Sequence, residues 1–292
     1  MRKIFIYAMW GFVFICIAAV AIVFTAIAKG KIGYVPPVEE LENPNLKFAT
    51  QVISEDGKLL GTWSLSKENR VYVGYEDLSP HLVHALVATE DVRFEDHSGI
   101  DARAFMRAVV KRGIFMQKHA GGGSTITQQL AKQFYSPTAD NVMERLLQKP
   151  IEWVIAVKLE RYYTKEEILT MYLNKFDFLN NAVGIKTAAK TYFGKDPKNL
   201  KIEEAATLIG MCKNPSLYNP RRFNERSRGR RNTVLDQMRK AGFLTREECD
   251  SLQALPLVLK FQPVDHKDGL ATYFREYLRG VMTAHKPDRS DY

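Results

Sequence analysis

The chain has 292 residues, enough for one large or two small domains with a buried core. Its 46% hydrophobic and 26% charged content are ordinary for a folded protein, and 3 cysteines make no disulfide framework. The formal net charge of +9 favours polyanionic partners such as anionic lipid or phosphorylated substrates, and the 6 histidines form no cluster with metal-ligand spacing.

Residues 4–28 are almost unbroken apolar sequence without a charge, beyond the about 20 residues that span a bilayer as helix. Arg2 and Lys3 precede the run and Lys29 and Lys31 follow it, so the flanking charges give no orientation. Ala26-Ile27-Ala28 offers a signal-cleavage pattern, but the run exceeds the ~7–15 residues of a signal core. An uncleaved anchor is the favoured reading. Residues 30–45, with Pro36-Pro37 and Pro44, read as a linker. Extended runs at 48–54 and 59–65 flank Asp56-Gly57, a hairpin signal, and 70–75 offers a third strand.

From Ser79 the spacing turns helical. Ser79 reads as an N-cap, with Pro80 in the first helical position. Leu82, Ala85, Leu86 and Thr89 follow at helical intervals, and the helix delivers Glu90 near its C-terminal end. Glu90 and Asp91 lie in the stretch ATEDVRFEDHSG, residues 88–99. Such an acidic pair is either a general base at the mouth of a cleft or a pair of solvated carboxylates at a helix end. Residues 100–115 read as a helix interleaving Phe105, Val109 and Val110 with Arg103, Arg107, Lys111 and Arg112. Its face either packs into the core or dips into lipid headgroups.

Gly121-Gly122-Gly123-Ser124-Thr125 opens the next helix, and Thr125-x-x-Gln128 matches a capping box. Glycines before a helix N-terminus present N–H groups that suit phosphate, although no Gly-Lys-Ser/Thr closes a Walker loop. Gln129 and Lys132 follow on the first turns. Residues 145–163 put Glu152 on one face with Arg145, Gln148, Lys149 and Ala156. Pro150 interrupts that helix or starts it, and in the second case Glu152 lies in the first turn, where the helix dipole favours a carboxylate. Thr164-x-x-Glu167 and Thr245-x-x-Glu248 are further capping boxes, and Gly194 reads as a C-cap. Helices are expected at 184–193, 203–212 and 230–240. The loop Asn214-Pro215-Ser216-Leu217-Tyr218-Asn219-Pro220 precedes Arg230-Arg231.

Four segments in fixed order, ED…F…H…G, GGGSTITQQLAKQ, KPIEWVIAVKLE and YLN…AAKTYFGK, together resemble the signature of glycosyltransferase family 51 over residues 71–238. That family comprises the peptidoglycan glycosyltransferase domains of class A penicillin-binding proteins. The resemblance implies a mainly α, two-lobed, lysozyme-like domain with a small β element and an N-terminal transmembrane helix. Glu90 falls in the larger lobe, the basic amphipathic segment in a smaller membrane-proximal lobe, and substrate between them. The implied activity is polymerisation of lipid II into β-1,4 glycan, with inversion and release of undecaprenyl pyrophosphate. The family's motif maps the general base onto Glu90 and the second essential acid onto Glu152. It makes Lys149, Lys132, Arg103 and Arg231 the candidates to meet pyrophosphate charge, and Ser124, Thr125, Gln128, Gln129 and Asp91 the substrate contacts. No cofactor is required beyond an optional divalent cation, Mg or Mn, and no metal ligands are assigned.

Two departures from the pattern stand out. Gln148 occupies an arginine position, for which Arg145 is the nearest replacement, and the 176–181 loop replaces an aromatic-glycine run. The expected organisation is an anchor at 1–29, a linker and small β element at 30–76, the glycosyltransferase domain at 77–250, and the start of a connector to a transpeptidase domain at 251–292. The expected partners are lipid II, the growing glycan strand, the bilayer and other cell-wall synthesis proteins, with no nucleic acid. The expected location is the cytoplasmic membrane, single-pass, with the catalytic domain outside. A lysozyme-like glycan hydrolase or lytic transglycosylase and a non-catalytic membrane scaffold are the rival readings.

Overall fold

The computed structural model describes residues 2–37, 40–41, 50–57, 59–63, 71–110, 123–136, 142–263, 273–274, 277–278 and 280–281. Helices dominate, as expected of a mainly α chain. By internal contacts the chain divides into two compact units, one of Met1–Asn45 with Arg93–Ile168, the other of Leu46–Val92 with Leu169–Tyr292.

The first unit begins with α1 (Arg2–Ala28). Lys3–Ala28 contains an 18-residue stretch of mean hydropathy 2.7, and the helix is long and apolar enough to cross a membrane. Most of its side chains are exposed, Ile4 and Phe5 at 72% among them. Such a surface on an isolated helix has no counterpart in a soluble core. Its last turns, however, pack on α5 (Val142–Tyr162). Phe24 stacks on Trp153 with ring centroids 6.1 Å apart, and Ile27 is buried. The chain after α1 then runs along α5. Gly33 takes φ +69°, and a Cβ there would collide with Ile151. Further on, Leu41 is buried and its carbonyl accepts the Tyr163 hydroxyl. The presumed linker is thus partly a strap on α5.

The rest of this unit is α3 (Ala102–Val109), α4 (Ile126–Tyr135) and α5. Asp101 caps α3 by accepting the Ala104 N–H at 2.9 Å and also binds Arg93. Thr125 caps α4 by accepting the Gln128 N–H at 3.1 Å. Helices α4 and α5 pair through Ile126, Leu130, Ala131, Ile155, Ala156 and Leu159, all buried. The helix expected over 100–115 is seen at α3, and its Lys111 and Arg112 lie outside the described residues.

One expectation fails here. Pro150 neither starts nor stops a helix; α5 runs through it from Val142 to Tyr162. A proline in a helix interior loses one backbone hydrogen bond and costs about 3 kcal/mol. Burial of Ile155, Ala156 and Leu159 beyond it favours the continuous helix. Glu152 therefore sits mid-helix, without the dipole of a first turn.

The second unit holds a two-stranded antiparallel hairpin, β1 (Thr50–Ile53) and β2 (Leu59–Trp63), which pairs Thr50 with Trp63 and turns at Gly57 with φ +76°. No third strand forms in 71–75. The backbone N–H and C=O of Val73 are instead satisfied by the side-chain amide of Asn174, at 3.1 and 2.8 Å. The helices are α2 (Pro80–Glu90), α6 (Lys165–Lys175), α7 (Ile185–Phe193), α8 (Ile202–Cys212), α9 (Asn224–Lys240) and α10 (Arg246–Ala254). The division between the units falls inside α6. The core is the triangle of α2, α8 and α9, closed by Leu82, Leu86, Leu208, Ile209, Val234 and Leu235. Ser79 caps α2, and the two Thr-x-x-Glu boxes cap α6 and α10 with both reciprocal bonds made. Gly194 ends α7 in the left-handed conformation.

Candidate active site

Two groups of charged residues are built by this scaffold, one in each unit. In the first, Glu152 is carried on α5 with its side chain fully buried. A carboxylate out of water needs partners. Lys149, one turn earlier, places Nζ 2.7 Å from Oε2, and Arg145, two turns earlier, places Nη1 3.5 Å from Oε1. Lys149 also donates to Ser124 Oγ at 3.2 Å, tying the start of α4 to the same charge. Lys132 on α4 belongs to the cluster electrostatically. Burial, then Arg145, and also Lys149, hold its pKa below the ordinary lysine value, against an upward pull from Glu152. Two cations therefore pair with one carboxylate and a third, the exposed Lys132, acts on it through space. Such a surplus of positive charge can attract an anion.

The ATEDVRFEDHSG stretch divides between the units after Val92. Its later residues are scaffold of the first unit. Phe94 is fully buried, and Lys165 lies 4.3 Å over its ring while donating to the His97 carbonyl at 2.6 Å. Gly99 has φ +90°, and a Cβ there would come within 2.8 Å of the Ala156 backbone. Its carbonyl accepts Thr125 Oγ1 at 2.7 Å and Gln128 Nε2 at 3.1 Å. Thr125 and Gln128, expected to touch substrate, are buried and both donate to the Gly99 carbonyl, while Gln128 Oε1 has no hydrogen-bond partner among the described residues. Arg103 is exposed on α3, beside Phe105 and Met106, while Gln129 is half-buried on α4.

In the second unit Glu90 is the last residue of α2, and Asp91 is its buried C-cap. Arg230 Nη2 lies 3.9 Å from Glu90 Oε1. Beneath are Tyr172 on α6 and Cys212 on α8. Burial holds both side chains well above their ordinary pKa values; for Tyr172, Cys212 and then Glu90 add to the effect, and for Cys212, Glu90 does. Both are neutral at physiological pH. Arg231, expected to meet pyrophosphate, is corrected: it is 1% exposed and donates to the carbonyls of Gln253, Leu255 and Pro256. Its neighbour Arg230 is the residue beside Glu90. The resemblance pointed to Arg231, and because adjacent helical residues point about 100° apart, the two arginines of the pair have different surroundings.

A family model described as Transglycosylase matches residues 56–239, more than half of the chain. The chain belongs to the transglycosylase family. Among curated relatives, penicillin-binding protein 1A of Pseudomonas aeruginosa is 36% identical over 249 residues, 85% of this chain and 29% of that protein. Penicillin-binding protein 2a of Streptococcus pneumoniae is 41% identical over 211 residues, 72% of this chain and 27% of that protein. Penicillin-binding protein 1A of Escherichia coli is 37% identical over 217 residues, 74% of this chain and 24% of that protein. The chain thus spans roughly a quarter to a third of the curated relatives it matches. A crystal structure of penicillin-binding protein 1A from Haemophilus influenzae aligns over 85% of this chain and 26% of that one. At 24% identity and a TM-score of 0.42 the match is too loose to add to the assignment.

Proposed function

We propose that this transglycosylase-family chain is a membrane-anchored peptidoglycan glycosyltransferase that polymerises lipid II. The observation that carries the reading is the group of Lys132, Arg145 and Lys149 around the buried carboxylate of Glu152. Family membership and relatives named as penicillin-binding proteins support it.

The reaction balances as follows. The acceptor sugar hydroxyl attacks the donor anomeric carbon, its oxygen forms the new glycosidic bond, and the bond from that carbon to the pyrophosphate oxygen breaks. Glu90 takes the hydroxyl proton. One displacement inverts the centre, without a covalent intermediate. The departing undecaprenyl pyrophosphate gains charge, which in this reading the Lys149, Lys132 and Arg145 cations stabilise. Glu152, fully buried, acts through these cations and orients Lys149 between itself and Ser124. Gln129 and Asp91 remain substrate contacts in this reading, and Arg103 remains a headgroup or pyrophosphate contact.

In the same reading α1 crosses the cytoplasmic membrane, the body lies outside it, and residues 251–292 begin a connector. The substrates are lipid II and the glycan strand, with other cell-wall synthesis proteins as partners. A divalent cation is an additive to be tested.

The test is a polymerisation assay with detergent-solubilised protein and labelled lipid II, with and without magnesium, beside Glu90→Gln and Glu152→Gln. The expected result is a ladder of glycan polymer from the parent chain that both substitutions remove. No polymer, from substrate proven on another enzyme, would favour a scaffold; release of fragments from isolated cell wall would favour a lytic enzyme.

A further inference from the structure

Arg230 is built differently from the arginine that follows it. Arg231 is satisfied by backbone carbonyls, whereas Arg230 has a buried Nε with no hydrogen-bond partner. Leaving such a donor unmet in a protein interior carries a cost, so the placement calls for another explanation. Three contacts fix the side chain. Gly210 on α8 makes room, since a Cβ there would meet Arg230 Cγ at 3.2 Å. The Tyr218 ring, from the Asn214–Pro220 loop, lies 5.9 Å from the guanidinium carbon. The third is Glu90, at 3.9 Å, with the two side chains 11% and 17% exposed.

That separation exceeds a hydrogen bond, so the interaction is charge on charge. Glu90 needs it. The negative end of the α2 dipole repels a carboxylate in the last turn. Asp91 follows directly, and the groups below, Tyr172 from α6 and Cys212 from α8, are neutral. From α9 the cation facing Glu90 is Arg230, because Arg231 is turned to carbonyls.

We propose that Arg230, seated by Gly210 and Tyr218, is a positioning residue that holds the Glu90 carboxylate in the orientation needed to take a proton. The inference rests on the reading of Glu90 as general base. It gives a role to three sequence features that the proposed reaction leaves idle: the glycine in α8, the tyrosine of the Pro-x-x-Tyr-x-Pro loop, and the first arginine of the Arg-Arg pair.

The experiment measures initial rates of lipid II polymerisation and thermal midpoints for the full chain in detergent, comparing Arg230→Met, Arg230→Lys and Gly210→Ala. Arg230→Met is expected to lower kcat by roughly 10–100-fold, the scale of a misplaced catalytic group, with KM within about twofold. Arg230→Lys is expected to recover most of the rate, because it restores the charge. Gly210→Ala, a substitution that favours helix, is expected to lower kcat by about threefold or more, because its Cβ crowds the Arg230 stem. A rise in KM at constant kcat would overturn the proposal and make Arg230 a substrate contact. So would a lysine variant no better than methionine, or rates equal to the parent. If Arg230→Met lowers the thermal midpoint, Arg230→Lys and Gly210→Ala decide, and an unchanged kcat in Gly210→Ala overturns it. A Glu90→Gln chain that polymerises normally would instead remove the underlying reading, whatever Arg230 does.

Discussion

Lys149 and Glu152 stand three residues apart on one helix, and their charges meet at 2.7 Å, the lysine partly in solvent and the carboxylate wholly out of it. The asymmetry matters. The lysine can be lost to water at little cost, while the carboxylate cannot.

Lys149→Met should therefore destabilise the fold, by about 1–3 kcal/mol, less than the usual penalty for breaking a buried pair because Arg145 remains at 3.5 Å. Lys149→Met with Glu152→Gln should recover part of that loss, since no uncompensated charge is left. Chemical denaturation of the single and double variants reads both effects. A double variant less stable than the sum of the singles would count against this account.

Lys132 should show the opposite trade. Its depressed pKa means that the folded chain resists the charged form. A lysine lowered this way opposes folding at neutral pH, and the penalty fades as pH rises through its folded value toward 10.5, the value of an unperturbed lysine. Because the Lys132 side chain is exposed and solvent screens its charge, Lys132→Met should raise the thermal midpoint at neutral pH only slightly, while lowering polymerisation. A fall in both would make Lys132 a structural residue.

Gly99→Ala should be among the most damaging substitutions in the first unit. It forces φ +90° on a residue with a Cβ and drives that Cβ to 2.8 Å from the Ala156 backbone. The expected cost is on the order of 2–4 kcal/mol, the range for strain combined with overpacking. It would also shift the carbonyl that holds Thr125 and Gln128. A variant with parental melting and activity would show that the segment tolerates a shift of α5.

His84 gives a pH signature for the second unit. It stacks on Phe243 with ring centroids 4.2 Å apart, and burial, then His81, lowers its pKa below 6.5. The unfolded chain binds a proton first as pH falls. The contribution is complete above about pH 6.5 and is lost as pH drops through the folded value. Melting between pH 7.5 and 5 should show a smaller acid-side decline in His84→Phe than in the parent. Equal slopes would place the acid sensitivity elsewhere.

Features that rest on local chemistry were legible in the sequence. Ser79, Thr125, Thr164 and Thr245 cap their helices as their spacing dictates, because capping needs only neighbours within one turn. Part of the expected cluster is also seen: Lys149 joins Ser124 to Glu152, and Arg145 lies 3.5 Å from the same carboxylate. What failed depended on distant partners. Val71, Tyr72 and Val73 have strand composition, but an asparagine 101 residues away takes the place of a neighbouring strand. Pro150 should end a helix, but the burial of residues beyond it keeps α5 intact. Which of two adjacent arginines meets Glu90 is set by how α9 lies on α8, and no window of sequence contains that information.

The strap along α5 has a mechanical corollary. Trp153 stacks on Phe24 in the last turns of α1, and Trp153 is the residue after Glu152. Where α1 crosses a bilayer, no slack separates the anchor from the anionic acid and its cations. The height of Glu152 above the lipid would then follow that of α1, and this unit would work like a plane iron clamped at one depth, free to travel across the membrane sheet without rising from it. A soluble fragment cut after residue 45 would lose the clamp as well as the tether.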